Sequence, residues 1–270
     1  MGRSLKSPAV SQGSSAQPSR APTDSRSGPD PASQEPVPPA AIHLRPTAPL
    51  AERVLLPGDP GRALALAQTL LEEPRMFNHH RGLWGYTGAA RDGEPLTIQA
   101  TGMGGPSAAI VLTELIALGA RRAIRVGTCG ALDRSLALGD LVIARHAICG
   151  DGASRALGAG ERACADRRLT QRLERGAPRA RAGTIASVDL FYEPTADGPA
   201  TARFGSSVLA VEMEAATLFT IGAAAGVGVA CILAVSDTFS AEGARRRIED
   251  GVLLGVVERM GAAAVAALAA

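Results

Sequence analysis

The sequence predicts a single α/β domain in which helices flank a mixed, largely parallel central sheet. Three observations lead to this fold class. From about Ile42 onward, short strand-like runs alternate with helix-like runs, which is the pattern of a sheet whose strands are joined by helices. The strand-like runs are apolar at nearly every position, as in strands covered on both faces. The 270-residue chain is 46% hydrophobic, which supplies one large core.

Residues 1–40 form a predicted disordered tail, and residues 41–270 form the predicted folded domain. The tail consists mainly of Ser, Pro, Gly, Ala and Arg and has almost no large apolar side chains. Such a composition buries too little apolar surface to offset the entropy lost on ordering. The tail also lacks the apolar segment of a secretory signal. We therefore look for function in residues 41–270.

The composition argues against several classes of partner. The 28 basic and 26 acidic residues nearly cancel and aromatic residues make up only 3%, so we expect no nucleic-acid partner. The four cysteines have no metal-like spacing, so we expect no metal, and reduced thiols in the cytoplasm. We expect no membrane span, because the most apolar run, residues 251–270, contains Glu258 and Arg259 and is Ala-rich like a packed helix.

The first half of the domain is predicted to contain two strand–loop–helix units. Arg53–Leu56 has the pattern of a strand, and a turn rich in Gly and Pro leads to a helix over Arg62–Leu71. A second strand, Leu96–Ala100, is followed by the loop Gly102–Ser107 and another helix. The loop lacks both the lysine ending of a P-loop and the GxGxxG dinucleotide pattern, so alone it identifies no cofactor.

The second half is predicted to alternate strands and helices in the same way. Its first strand begins at Ala123 and ends in a turn-forming segment, Gly127–Gly130. The elements predicted after it are the strand Leu141–Ile148, the helix Leu169–Arg175, the strand Ala182–Ala186, a long helix from Leu209 to Ala225, the strand Gly228–Val235 and a closing helix Arg245–Leu268. In open α/β sheets, ligands bind at the carboxyl ends of such strands.

Arg125 stands in the middle of a strand-like run, where an always-charged guanidinium is costly unless a carboxylate or phosphate accepts its hydrogen bonds. The segment Gly127–Gly130 adds backbone N–H groups and the hydroxyl of Thr128. One interpretation is a phosphate site formed by Arg125 and Thr128. An internal salt bridge explains the buried arginine equally well, so this stretch leaves both interpretations open.

Arg62 lies in the first turn of a predicted helix, after the turn that contains Gly58. A helix N-terminus presents free N–H groups and the positive end of the helix dipole, so it favours an anion. A cation at that position is electrostatically misplaced unless an anion lies beside it. We therefore interpret Arg62 as a second candidate anion ligand, with a solvated side chain as the alternative.

Glu212 and Glu214 stand two residues apart at the start of an otherwise apolar predicted helix. On a helix they point in widely different directions, so we expect at least one carboxylate to turn inward. A buried carboxylate accepts hydrogen bonds well, for example from sugar hydroxyls; the alternative is an acid that only favours the helix N-terminus. Asp237 follows the strand Gly228–Val235 at the carboxyl end of the sheet, where it is a ligand group or an ordinary turn residue.

Taken together, these motifs resemble the nucleoside phosphorylases of the trimeric and hexameric type, a family that includes purine nucleoside phosphorylases and uridine phosphorylases. The similarity spans about Ile42 to Leu268. The motifs that carry it are Pro57–Pro60 with Arg62, Gly102–Ser107, Arg125–Gly130, Val211–Ala215 and Val235–Asp237. The resemblance implies the nucleoside phosphorylase fold and a homo-oligomer, expected to be a hexamer, in which neighbouring subunits share sites.

The resemblance also implies roles for individual residues. Those implied to bind phosphate are Gly58, Arg62, Arg125 and Thr128, with Arg81 from a neighbouring subunit. Those implied to bind ribose are Met213 and Glu214, with His43 from the neighbour. Those implied to line the base pocket are Phe191 and Val211. The implied co-substrate is inorganic phosphate, with no other cofactor and no metal.

The implied reaction converts a purine nucleoside and phosphate into the free base and ribose or deoxyribose 1-phosphate. Breaking the N-glycosidic bond develops positive charge on the sugar, and phosphate beneath the anomeric carbon stabilises that charge and becomes the nucleophile. Asp237 matches the family's general acid at the purine N7 atom. In the purine enzymes an arginine further along assists this aspartate, and Arg245, Arg246 and Arg247 are all candidates.

Three alternatives match parts of the sequence. Uridine phosphorylases share the patterns of Gly104–Ser107 and Asp151–Ser154, but they carry a Gln and an Arg within the stretch that corresponds to residues 191–196, and they lack an acid at the position of Asp237. Nucleosidases, which use water, have a Ser-Asp element but not the phosphate arginines. A non-catalytic nucleoside-binding protein is the third alternative. The retained arginines, sugar carboxylate and acid favour purine phosphorolysis.

Overall fold

The computed structural model describes residues 41–192, 203–240 and 244–269 of the chain. The predicted disordered tail, residues 1–40, lies outside the described residues. So do residues 193–196, on which the comparison with uridine phosphorylases partly depends. The described residues form the predicted mixed α/β fold, with one central sheet and helices on both of its faces.

Most core elements lie within a few residues of their predicted bounds. The strands are β1 (Arg53–Leu56), β2 (Leu71–Asn78), β3 (Gly85–Ala90), β4 (Pro95–Gln99), β5 (Arg122–Ala131), β6 (Leu141–Cys149), β7 (Arg162–Cys164), β8 (Arg181–Ser187), β9 (Val208–Glu212), β10 (Gly228–Phe239) and β11 (Arg245–Arg247). The helices are α1 (Pro60–Leu70), α2 (Gly105–Ala117), α3 (Gly152–Ala156), α4 (Arg167–Gly176), α5 (Ala215–Ala225) and α6 (Asp250–Leu268).

Five strands close into a ring at the centre of the sheet. β10 pairs in parallel with β5 and antiparallel with β6, β6 and β8 pair in parallel, and so do β8 and β9. β9 closes the ring by antiparallel pairing with the end of β5. β1 and β4 extend the sheet in parallel from β5, and β3 and β2 continue it antiparallel. The sheet is therefore mixed, and β5 lies at its junction with parallel partners on both sides.

The two faces of the sheet are covered by different helices. α2, α3 and α5 pack together on one face, and α1, α4 and α6 pack on the other. Within β5, Ala123 and Cys129 belong to the first layer, whereas Ile124 and Val126 belong to the second. Because strand side chains alternate between faces, Arg125 shares the side of Ala123. The strand therefore directs its one central cation toward α5.

Helix α6 is long and apolar enough to cross a membrane by length and composition alone. Core helices of globular domains pass the same test, so we compare the packing of α6 with that of a core helix. Met260, Ala264 and Leu268 are buried in the second layer. Gly261 approaches α1 so closely that a Cβ atom there would lie 2.5 Å from Leu66 Cδ2. The inner face of α6 is therefore part of the hydrophobic core.

The predicted turn at Gly127–Gly130 is wrong. β5 continues through this segment to Ala131 because β10 and β9 supply hydrogen-bond partners for it. The glycines allow close approach instead of a turn: a Cβ atom on Gly127 would lie 2.7 Å from the Cζ atom of Arg125. A small residue is needed here because the guanidinium folds back over the strand.

The predicted helix start at Leu209 is also wrong. Val208–Glu212 forms strand β9, paired with β5 and β8, and α5 begins only at Ala215. The run is apolar on both faces, so its periodicity does not distinguish a buried strand from a buried helix. Glu212 and Glu214 therefore lie at a strand end and in the bend that follows it, not on a helix.

The C-terminal part departs from the prediction at two points. β10 runs beyond Val235 to Phe239, with an irregular register between Val235 and Asp237. Arg245–Arg247 forms the edge strand β11 antiparallel to β10, and the closing helix begins only at Asp250. Asp237 therefore lies within a strand pair, and its neighbours are set by the register of β11.

Candidate active site

Arg125 is the centre of a buried charge cluster. Its Nε atom donates to Glu212 Oε2 at 2.9 Å, and its Nη2 atom forms an ion pair with Glu214 Oε2. All three side chains are almost inaccessible to solvent. Burial alone lowers the pKa of a guanidinium, but the two carboxylates more than offset this effect and raise the pKa of Arg125. The arginine is therefore fixed in its charged form.

Glu212 is occupied by protein donors. Ser187 Oγ donates to its Oε1 atom at 2.5 Å, and the backbone N–H groups of Glu214 and Ala215 donate to Oε2 at 2.9 and 3.0 Å. Burial raises the pKa of Glu212, while the charge of Arg125 opposes this. Glu212 therefore orients Arg125 and caps the first turn of α5, and its carboxylate is already satisfied without a substrate.

Glu214 faces the glycine-rich loop before α2. The N–H group of Gly104 donates to its Oε1 atom at 2.5 Å. Gly102 and Gly104 have φ angles of 74° and 89°, a region that favours glycine, and this conformation directs the N–H group at the carboxylate. Both glutamates thus converge on Arg125. The expectation that they diverge was wrong because it assumed a helix at this position.

The salt-bridge and anion interpretations of Arg125 each describe part of the cluster. Nη1 of Arg125 and Nη1 of Arg62 are both buried, and neither has a hydrogen-bond partner within the described residues. Burial lowers the pKa of Arg62; the charge of Asp59 opposes this, and the charge of Arg125 reinforces it. Buried donors without partners are rare and costly. Each arginine therefore retains one nitrogen that an anion would satisfy.

The turn before α1 lies against this cluster. A Cβ atom on Gly58 would lie 3.2 Å from the carbonyl oxygen of Gly102 and 4.0 Å from Arg125 Nη1. Asp59 caps α1 by accepting a hydrogen bond from the backbone N–H of Arg62 at 2.9 Å. The predicted anion position at the helix N-terminus is thus partly occupied by Asp59. The side chain of Arg62, rather than its backbone, carries the free donor.

Thr128 and Met213 are half-buried beside the charge cluster. Thr128 lies on β5 three residues after Arg125, and Met213 lies between the two glutamates that bind Arg125. Neither side chain has a hydrogen bond to another part of the described chain. Their roles toward phosphate and ribose stay predictions.

Asp237 forms a second cluster of charges. Ser236 Oγ donates to its Oδ2 atom at 2.7 Å, Arg245 Nε donates to Oδ1 at 2.8 Å, and Arg247 Nη1 lies 3.4 Å from Oδ1. Burial alone raises the pKa of Asp237, but the hydrogen bonds from Arg245 and Ser236 and the charge of Arg247 hold the pKa below its usual value. Asp237 is therefore ionised in this arrangement, and an acid role requires the arrangement to change.

The register of β11 selects which arginines reach the acid. Asp237 pairs with Arg247, and Phe239 pairs with Arg245. Side chains alternate along a strand, so Arg245 and Arg247 share one face and Arg246 points to the other. Among the three candidates for assisting Asp237, the structure brings Arg245 and Arg247 to it and leaves Arg246 apart.

An open cavity of about 500 Å³ lies beside these arginines. It is lined by Phe191, Tyr192, Arg245 and Arg247. Phe191 is 51% exposed, and its ring packs edge-on against Tyr192 with centroids 4.9 Å apart. An exposed aromatic face next to a buried carboxylate suits a planar, polar ring.

Val211 lies on strand β9. It pairs with Gly130 across β5 and β9, and a Cβ atom on Gly130 would lie 3.5 Å from Val211 Cγ1 and 3.1 Å from Phe239 Cε2. Gly130 thus leaves room for Phe239, which the sequence did not single out. Phe239 follows Asp237 by two residues, so strand alternation is the signal that would have found it.

The model of the Phosphorylase superfamily matches residues 52–269. This chain belongs to that superfamily. The chain is similar to DeoD-type purine nucleoside phosphorylases: 37% identical over 195 residues to that of Oceanobacillus iheyensis, covering 70% of this chain and 83% of the relative. It is 39% identical over 199 residues to that of Geobacillus kaustophilus, covering 71% of this chain and 83% of the relative. It is also 39% identical over 201 residues to that of Caldanaerobacter subterraneus, covering 70% of this chain and 84% of the relative.

In this phosphorylase, the two residues predicted to serve a neighbour's site form no hydrogen bond or ion pair with either charge cluster within the described residues. His43 Nδ1 is 2.7 Å from Glu114 Oε1 on α2, and the backbone N–H groups of residues 42–44 donate to the same carboxylate. Arg81 is exposed in a single helical turn, with an unfavourable φ of 59°. Within the described residues, neither side chain bonds to Arg125 or Asp237. Their roles between subunits stay predictions.

Proposed function

We propose that this phosphorylase cleaves purine nucleosides with inorganic phosphate, giving the free base and ribose or deoxyribose 1-phosphate for nucleoside salvage. The observation that carries the proposal is the pair of unpartnered nitrogens, Arg62 Nη1 and Arg125 Nη1, beside the carboxylate of Glu214. The cations suit phosphate, and the carboxylate suits a sugar hydroxyl. The names of the relatives, all purine nucleoside phosphorylases, support the same substrates.

Phosphate is held by the side chains of Arg62 and Arg125, the backbone at Gly58 and the hydroxyl of Thr128. A guanidinium suits phosphate because its N–H donors match the spacing of two oxygens. The two glutamates already hold Arg125 in place, so little reorganisation accompanies binding. Phosphate is the co-substrate in this proposal, and the reaction needs no metal and no further cofactor.

The sugar lies between phosphate and base. Glu214 accepts hydrogen bonds from ribose hydroxyls, Met213 packs against the ring, and His43 of a neighbouring subunit completes the pocket. The carboxylate of Glu214 also lies against the phosphate arginine, so the sugar and the nucleophile are aligned by one ion pair.

The bond-breaking step uses both charge clusters. A phosphate oxygen forms a bond to the anomeric carbon as the bond to purine N9 breaks, and the electron pair of that bond moves onto the base. Asp237 then supplies a proton to N7, which neutralises the leaving group. Phe191 and Val211 line the space for the base. A carboxylic acid at N7 serves a purine, which is why we favour purines over uridine.

We further propose a cytoplasmic homo-oligomer in which dimers share sites, assembled as a hexamer. Two exposed apolar side chains offer surface for such an interface: Met103, next to Gly104, is 87% exposed, and Ile42, next to His43, is 63% exposed. The free thiols of Cys129, Cys149 and Cys231, all buried, are in keeping with a reducing compartment.

The experiment that tests the function is base release from inosine, adenosine and uridine, each with and without phosphate, with identification of the sugar product. We expect phosphate-dependent release of hypoxanthine or adenine together with ribose 1-phosphate. Uridine as the only substrate would replace the purine assignment with a uridine phosphorylase. Release without phosphate would indicate a hydrolase, and no release from a folded oligomer would indicate a nucleoside-binding protein.

A further inference from the structure

Arg245 lines the cavity and contacts two other groups of the site. Its Nε atom donates to Asp237 Oδ1 at 2.8 Å, and its guanidinium carbon lies 4.2 Å from the centroid of the Phe191 ring. That ring also packs nearly perpendicular to the ring of Tyr192. A single planar cation therefore spans from the aromatic ring to the buried carboxylate.

The proposed function assigns the purine to the same two groups. Its ring packs on Phe191, and its N7 atom faces Asp237. The face of Phe191 that Arg245 covers is the face turned toward Asp237, because one guanidinium contacts both. A base that meets both groups has to occupy the space that Arg245 fills. Two planar groups do not fit there together at contact distance.

We propose that the guanidinium of Arg245 takes the place of the base in the empty site and that an entering nucleoside displaces it. Guanidinium is flat, forms hydrogen bonds at its edge and stacks on aromatic faces, so it imitates a purine in shape and contacts. The Arg245 side chain is 31% exposed and belongs to an edge strand, so it has solvent to move into. This inference rests on the proposed function.

Displacement of Arg245 also changes the acid. The groups that face Asp237 are Arg245 and Arg247 from β11, the hydroxyl of Ser236 and the buried thiol of Cys129 on β5. Of these, Arg245 contributes the largest effect that lowers the pKa of Asp237. Once it leaves, the pKa rises and the carboxylate takes up a proton from solvent. That proton is the one donated to N7 when the glycosidic bond breaks.

The coupling between nucleoside binding and protonation of Asp237 predicts how binding depends on pH. Because Asp237 gains a proton when the nucleoside displaces Arg245, binding of the nucleoside takes up protons and becomes tighter as the pH falls. The same displacement makes Arg245 a competitor of the base. Removing the Arg245 side chain therefore strengthens binding of the nucleoside, whereas removing a side chain that binds the nucleoside would weaken it.

The test is calorimetric titration of inosine into the full-length protein without phosphate, so that no turnover occurs. We expect Arg245→Ala to bind inosine about 3- to 30-fold more tightly than the wild type, the range for one cation–π contact and one partly exposed ion pair. We expect the inosine affinity of Arg245→Lys, which keeps the charge but not the planar group, to lie between that of the wild type and that of Arg245→Ala. Arg246→Ala, on the other face of β11, is the matched control and should bind as the wild type does.

The same titrations in buffers of different ionisation enthalpy report the protons taken up. We expect uptake with the wild type and less uptake with Arg245→Ala. Equal or weaker inosine binding by a folded Arg245→Ala variant would overturn the inference while leaving the function intact if the wild type still releases base with phosphate. A wild type that neither binds inosine nor releases base would contradict the proposed function, and the inference with it.

Discussion

The two charge clusters of the site differ in how firmly the fold holds them. In the Arg125 cluster, the side chains of all three members, Arg125, Glu212 and Glu214, are at most 6% exposed and lie on β5, the end of β9 and the bend before α5. Around Asp237, the two arginines lie on an edge strand, and their side chains are 31% and 56% exposed. Buried ion pairs are strongly coupled to folding, whereas exposed ones contribute little and rearrange easily. The side of the site proposed for phosphate is therefore preorganised, and the side proposed for the base is adjustable.

The largest effect should follow from removing the cation of the buried cluster. In Arg125→Met, the charges of Glu212 and Glu214 stay buried without the cation that balances them, so we expect the free energy of unfolding to fall by about 3–5 kcal/mol. Phosphate-dependent activity should be lost as well. Urea unfolding and phosphate kinetics measure the two effects. Arg121→Met, at an exposed position beside the same strand, is the control and should change neither. An Arg125→Met protein as stable as the wild type would show that the cluster is not held as described.

The next effect concerns the adjustable side. Asp237→Asn cannot donate a proton, so we expect kcat/KM for inosine to fall by about 10²- to 10⁴-fold. A nucleoside whose purine already carries a methyl group on N7 needs no proton there and should lose far less. Stability should change little by comparison with Arg125→Met. Equal losses on both substrates would remove the general-acid role from Asp237.

The carboxylate of Glu114 is a useful reference for both charge clusters, because it has no proposed part in the chemistry. Burial opposes ionisation of Glu114, but the hydrogen bonds from His43 and from the backbone of residues 42–44 lower its pKa from 4.5 to about 2. A depressed pKa contributes stability above the unfolded pKa, and the contribution is lost as the pH falls toward the folded pKa. The stability difference between wild type and Glu114→Gln should therefore shrink by about 2 kcal/mol between about pH 6 and about pH 3.

Urea unfolding at both pH values measures the Glu114 effect. Glu258→Gln, at an exposed position on α6, corrects for the general loss of stability in acid. A pH-independent difference between wild type and Glu114→Gln would mean that Glu114 does not hold the segment around His43 as a charged group.

The smallest effect is expected at the outer arginine. Arg247 Nη1 lies 3.4 Å from Asp237 and its side chain is 56% exposed, so Arg247→Gln should change kcat/KM for inosine by no more than about fivefold. Its pH profile should shift slightly upward, because one charge that lowers the pKa of Asp237 is gone. Arg246→Gln should change neither quantity. A loss at Arg247 as large as that of Asp237→Asn would show that the base side is as rigid as the phosphate side.

The sequence predicted the preorganised side better than the adjustable one. A charged residue inside an apolar strand is conspicuous, and so is a cation in the first turn of a helix, so Arg125 and Arg62 were identifiable as candidate anion ligands before any contact was known. The partners of Arg125 were harder to identify from the sequence, because Val208–Glu212 is apolar on both faces and the pattern of such a buried strand resembles that of a helix. Only the pairing with β5 and β8 decides between them.

The adjustable side depends on pairing that the sequence does not reveal. Three consecutive arginines have no internal signal for which of them faces Asp237, and the register of the short strand β11 makes that choice. Likewise, the glycines at Gly127–Gly130 suggested a turn, although they serve close packing within a strand whose neighbours come from residues about 80 to 110 positions later. Long-range partners of this kind follow from tertiary structure rather than local propensity.

The central claim is that the unpartnered nitrogens of Arg62 and Arg125 form a phosphate site, and calorimetric titration of inorganic phosphate tests it most directly. We predict saturable binding to the wild type and binding weakened about tenfold or more in Arg62→Gln, which removes one of the two free donors without disturbing the ion pairs of Arg125. Phosphate binding of equal strength in both proteins would contradict the claim.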